Sequence, residues 1–579
     1  QGQLIRDANP ATGLVTLDRV DTAQGYIVTL STALNHITTY NVENLPNGDQ
    51  RRITTFPNGL NSESLKNPDG TVTWSNPDGT TQIETLGPDP RWGMLAPVST
   101  LISFTMPSGL TYTMQVTRTA VLTDPNNPFS LATLTERTSI NGNTYTSTYT
   151  AATRTWVERS PTGRVVTTTL DTLGRVVFEQ VAGLSPVRYS YDPRGRLVTA
   201  TLGSGTETRT VAFTYDSAGY LASVTDPLSR TVNFEYDLAG RVITQTLPDS
   251  RVIAYAYDAS GNLTELTPPG QPAHNFSYTP IDLLTQYTPP DVNPGIDDTQ
   301  YAYNADRQLT LSTSPDGQTT NLSYDTAGRL NALTIARGLF SYSYDSTTGI
   351  LASISAPGGI NLAYAYDGAL LTGTTWSGSV AGRVGYAYDN NFRLTASDVN
   401  GSAIAFQYDD DSLLTQAGTL TLSRSAQNGL LTNSTLGSIA DMWSYNGFAE
   451  ATNYSAAYNA TSLYNVQYAH DALGRITEKT ETIGGVTTTF GYTYDLTGRL
   501  TSVMTDGVII ASYTYDSNGN RLSYTSPGGV INGTYDAQDR LLQYGMTIYA
   551  YTANGELLTT TNGAQITDYQ YDALGNLIS

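Results

Sequence analysis

A Tyr-Asp pair followed by Gly-Arg and an apolar residue recurs along this chain every 20 to 25 residues or so, and that period limits the fold more than any other feature. YDPRGRL begins at Tyr191, YDLAGRV at Tyr236, YDTAGRL at Tyr324 and YDLTGRL at Tyr494. Related copies start at Tyr215, Tyr257, Tyr344, Tyr515, Tyr535 and Tyr571. Looser ones start at Tyr278, Tyr303, Tyr366, Tyr388, Tyr408, Tyr445 and Tyr551, and His470 takes the tyrosine slot of another. A chain this regular builds one small unit many times and stacks it on its neighbours.

Each period has the chemistry of a β-hairpin. Val211-Ala212-Phe213-Thr214-Tyr215 precedes one motif and Arg241-Val242-Ile243-Thr244-Gln245-Thr246 follows another, both alternating and rich in β-branched or aromatic residues. Between such runs Asp opens a turn by accepting nearby amides, and Gly supplies a positive φ. That pair of residues joins antiparallel strands through a bulge. The structural posts are therefore Tyr191, Asp192, Gly195 and Arg196; Tyr236, Asp237, Gly240 and Arg241; Tyr324, Asp325, Gly328 and Arg329; and Tyr494, Asp495, Gly498 and Arg499. Tyrosine and the trailing leucine are predicted on the buried face, with each hydroxyl partnered. Arginine is expected to stack on a neighbouring tyrosine or pair with a neighbouring aspartate. A second, looser turn completes each period, as at Pro248, Pro315, Pro357 and Pro527.

The predicted class is all-β: tandem antiparallel hairpins forming one long sheet. About nineteen periods of two strands, ~4.8 Å apart, give a ribbon roughly 180 Å long. Sheets twist, so the ribbon must coil into a hollow shell or a solenoid. Residues 1–159 read as a diverged hairpin region, with NPDGT at Asn67 and Asn76, and residues 160–579 as the repeat array proper.

Composition narrows the partners. With a net charge of -21 and pI ≈ 4.4, the chain repels nucleic acid and anionic lipid, so neither is expected. Lysine occurs only at Lys66 and Lys479; the other basic residues are arginine, which suits planar pairing and stacking. The absence of cysteine excludes disulfides and thiolate chemistry. No run of about 18 apolar residues is present, so no membrane span is expected. The acidic, cysteine-free, Thr/Ser/Gly/Tyr-rich composition fits an extracellular or cell-surface protein.

The motif and its spacing resemble the YD-repeat, or RHS-repeat, family, which includes bacterial Rhs proteins, the C component of Tc toxin complexes and the extracellular region of teneurins. The resemblance covers residues 160–579 well and the opening of the chain more weakly. It implies a β-strip spiralling into a hollow shell able to enclose a polypeptide cargo such as a toxin. Rhs and Tc proteins also close with a DPxGR-type core that houses an aspartyl self-cleaving site. Here the chain ends in the repeat at Tyr571, so self-cleavage is assigned to no residue, and a piece of a longer polypeptide is the expectation. Gln1-Gly2-Gln3-Leu4 does not read as the start of a signal peptide.

Other chemistry is sparse. His36, His274 and His470 lie far apart in sequence, which argues against a histidine triad or metal centre. Asp409-Asp410-Asp411 and the stretch Asp516 to Asn520 are oxygen-rich enough to raise calcium, yet turn capping explains them, and Pro527 stands where an EF-hand loop needs glutamate. No cofactor is expected. A glycan-binding face would need Trp74, Trp92, Trp156, Trp376 or Trp443 at the surface. Three readings stay open: a non-enzymatic structural shell, an adhesion or filament-forming module with possible self-assembly that binds glycans or other cells, and a polysaccharide-acting enzyme.

Overall fold

The turn that follows Tyr191 sets the local geometry of the repeat. Strand Val187–Tyr191 pairs antiparallel with Leu197–Ser204, and the register slips by one residue between Ser190 and Tyr191. Gly195 N–H donates to the Asp192 carbonyl and Asp192 N–H to the Arg196 carbonyl, both at 2.9 Å. Gly195 sits at φ 87°, where a Cβ would be strained, so the bulge that re-aims Arg196 needs glycine. Along Val187–Tyr191 the residues alternate between half-buried and exposed, as a pleated strand dictates.

The computed structural model describes residues 4–205, 207–292 and 297–579; Gln1, Gly2 and Gln3, on which part of the leader-peptide reading rests, lie outside them. The described residues form 52 β-strands and no helix, from Arg6–Ala8 to Gln565–Asp568. Strands pack on their sequence neighbours, every described pairing is antiparallel, and the first and last strands are not paired with each other. The long antiparallel sheet expected from the repeat is therefore present. Its length exceeds the expected nineteen periods, because 52 strands make 26 pairs. The difference lies largely in the region before Tyr191, where strands such as Gly93–Thr105 and Thr111–Leu122 form without the motif.

The chain divides into two compact units. One comprises residues 1–165, 302–312 and 319–419; the other comprises 166–301, 313–318 and 420–579. In each, an early run of hairpins meets a later run through turns. In the first unit the bonded residues are up to 279 positions apart, and in the second up to 268.

Burial is thin. Among described aliphatic and aromatic residues other than proline, only Met106, Ile335, Val466 and Ala511 are buried. Cohesion between successive strands rests on backbone ladders and on side chains packed along the sheet. Among the described residues no helix is long and apolar enough to cross a membrane.

Candidate functional site

Within one period the four motif residues form a clamp on the next period. Asp192 Oδ1 accepts from the N–H groups of Arg194 and Arg196, both at 2.9 Å, and Oδ2 accepts from Arg196 Nε at 2.8 Å. The guanidinium, fixed in plane by this pairing, lies 4.2 Å over the ring of Tyr215. The Tyr215 hydroxyl then donates at 2.8 Å to the carbonyl of Leu197, the residue after that arginine. Tyr215 is thus held at its face by a cation and at its tip by a backbone acceptor.

The other copies repeat this circuit. Arg241 pairs with Asp237 and stacks 4.8 Å over Tyr257, and Tyr257 donates to Val242. Arg329 pairs with Asp325 and lies 4.2 Å over Tyr344. Arg499 pairs with Asp495, lies 5.0 Å over Tyr515 and donates to the Asp516 carbonyl. Looking backward, Tyr191 sits under Arg175 and Tyr494 under Arg475, and their hydroxyls donate to Val176 and Ile476. Tyr236 and Tyr324 donate to Leu221 and Leu309. Tyr236 has no arginine before it; Tyr220 fills that post and stacks on it at 5.0 Å. Gly195, Gly240, Gly328 and Gly498 all have φ between 78° and 93°.

The electrostatics follow from these contacts. The backbone N–H of Arg196 and its guanidinium hold the Asp192 carboxyl below the usual range, and those of Arg241 do the same for Asp237. At Asp495 burial pushes upward, but the Arg499 amide and guanidinium with Thr497 outweigh it and hold the carboxyl at about 2. Asp325 has the same balance with Arg329, and is lowered. Burial raises Tyr236, Tyr324, Tyr344, Tyr494 and Tyr515.

A second kind of site joins chain-distant turns. In the first unit, Asp411 accepts from the hydroxyls of Ser160 and Thr162, the Thr162 amide and the Arg164 guanidinium, while Arg164 also reaches Asp409 at 2.9 Å. Asp306 there accepts from Thr32 and the Leu34 amide and lies 2.7 Å from His36 Nδ1. In the second unit Arg209 forms a two-pronged pair with Glu450, lies 3.8 Å over Phe448 and borders a cavity of about 430 Å³ with His470. Sequence reasoning missed these seams. Their one sequence signal is a proline in the second place of many docked turns, as in Ser160-Pro161-Thr162-Gly163-Arg164 and Leu247-Pro248-Asp249-Ser250-Arg251.

The calcium-like stretches are placed in turns. Asp411 is engaged as above, and Asp516 Oδ1 accepts from the amides of Asn518, Gly519 and Asn520. Among the described residues, no group of three or more histidine, aspartate or glutamate side chains is gathered as a metal site. His274 is bonded to the Tyr287 hydroxyl, so the three histidines stay in separate places. The five tryptophans are half-buried; Trp443 packs on Tyr454 and Trp156 on Tyr149.

The family model for the teneurin YD-shell matches residues 1–579. Teneurin-3 of Danio rerio is 27% identical over 299 residues, covering 47% of this chain and 11% of that protein. Teneurin-4 of Homo sapiens is 29% identical over 275 residues, covering 41% of this chain and 10% of that protein. Among solved structures, TcdB2-TccC3-TEV superposes with a TM-score of 0.59 at 11% identity, covering 97% of this chain and 40% of that one. The chain thus spans about a tenth of the teneurins it matches, and at such low identity the solved structure shares the fold.

Proposed function

Because the chain belongs to the teneurin YD-shell family, we propose that it is a non-enzymatic wall that encloses a polypeptide, in an extracellular or secreted setting. The observation that carries this reading is how the repeat spends its chemistry. Tyrosine hydroxyls bond backbone carbonyls, aspartates bond their own turns, and arginines bond aspartate and stack on tyrosine. General acid–base catalysis needs a group held near a substrate and left able to move a proton. These side chains are instead committed to one another. The likeness in fold to a TcdB2-TccC3 structure supports the shell half of the reading.

A disordered peptide carrying one specific protease site, appended after Ser579, tests the enclosure. The expected result is cleavage at least tenfold slower than for the same peptide on an unrelated carrier. Equal rates would contradict enclosure, and hydrolysis of any member of a polysaccharide panel would contradict the non-enzymatic half.

A further inference from the structure

The second turns of the repeat come in two chemistries, and in the second unit several turns of the first kind dock on distant turns. The turns of residues 226–230, 247–251 and 314–318 carry proline in second place, with aspartate and, in two of them, arginine, and they dock. Arg230 donates to the Leu496 carbonyl, Arg251 to that of Ser517, and the Asp316 amide to Asn554. From Leu436 to Gln565 the second turns are two-residue hairpins, such as the one between Ile483 and Val486. Seven such tips follow one another along the sheet. Six of them present Leu436, Val486, Val508, Val530, Met546 and Ile566, exposed from 49% to 81%.

We propose that this row is the contact face between two copies of the chain, meeting tip row to tip row. Tips two strands apart stand ~10 Å from one another, so seven make a row roughly 60 Å long. With side chains about 10 Å across, the strip approaches the ~800 Å² per partner of a standard interface and stands at the upper end, about 600 Å², of the largest patches that typical monomers expose. Charge selects the same face. Copies that each carry a net charge of -21 repel, and among the loop residues of these tips Asp506 is the one charge, capped onto the Thr489 amide at 2.9 Å. Even spacing makes the row a comb that interdigitates with itself under two-fold symmetry, a closed arrangement. Another run of motif turns does not suit this row, because the docked turns of this unit meet motif turns through Asp, Arg and backbone carbonyls.

Sedimentation velocity from about 1 to 100 μM measures the proposal by mass action. The wild-type chain is expected to pass from monomer to dimer. The double variant V486D/M546D is expected to weaken dimerisation at least tenfold, with circular dichroism confirming an unchanged sheet. Leu238→Asp changes a fully exposed leucine on a motif turn outside the row, and should leave the dimer intact. A wild type that stays monomeric, grows without limit, keeps its dimer in V486D/M546D, or loses it equally in Leu238→Asp would overturn the proposal.

Discussion

Tyr494 lies between two periods: its ring is 4.3 Å under the Arg475 guanidinium and its hydroxyl 2.7 Å from the Ile476 carbonyl. Removing that hydroxyl leaves a half-buried carbonyl without its donor, so Tyr494→Phe should cost about 1–2 kcal/mol of local stability. Native-state hydrogen exchange in strands Ile476–Ile483 and Val486–Tyr494 is the measurement, since a nearest-neighbour array opens locally. Turn glycine works through its positive φ, and where the chain lacks it the cost is visible. Ser229 holds φ 62° in a docked turn, and Ser229→Gly should stabilise its hairpin by about 1 kcal/mol, read as slower exchange there.

At the scale of hairpins, the strands and the clamp could be read from sequence because they depend on residues a few positions apart. Alternation gives the strand, Asp and Gly give the turn, and Tyr and Arg follow at fixed offsets. The seams could not be read in this way. Arg164 meets Asp411 across 247 residues, and no local pattern in either turn names the other. The same holds for Arg209 and Glu450, and for the N-terminal strands, whose turns use Pro and Gly without the tyrosine. Arg164→Ala tests the seam. It leaves Asp409 and Asp411 without their cation, so the two turns should separate at a cost of about 2–3 kcal/mol. Exchange should then rise at residues 160–164 and 408–412, while strand Val187–Tyr191 stays protected.

Across the whole chain the repeat depends on ionised aspartates, which gives the fold a pH limit. The folded-state pKa of Asp495 is lowered to about 2, and those of Asp192, Asp237 and Asp325 are lowered too. A depressed carboxyl contributes stability that is present above its unfolded value near 4 and lost as pH falls through the folded value. The β-sheet signal in circular dichroism should hold to about pH 4 and fail towards pH 2. Tyrosines raised by burial act at the other end: their contribution is present below about pH 10 and lost above it.

The central claim is that the repeat residues are spent on architecture, each period clamped to the next. Hydrogen exchange over the whole chain in Arg499→Ala tests it most directly, because Arg499 joins Asp495, Tyr515 and the Asp516 carbonyl. Faster exchange is expected in Leu500–Thr505 and Val508–Tyr515, with strands many periods away, such as Val187–Tyr191, unchanged. Unchanged exchange in those two strands, or an equal rise along the entire chain, would contradict it.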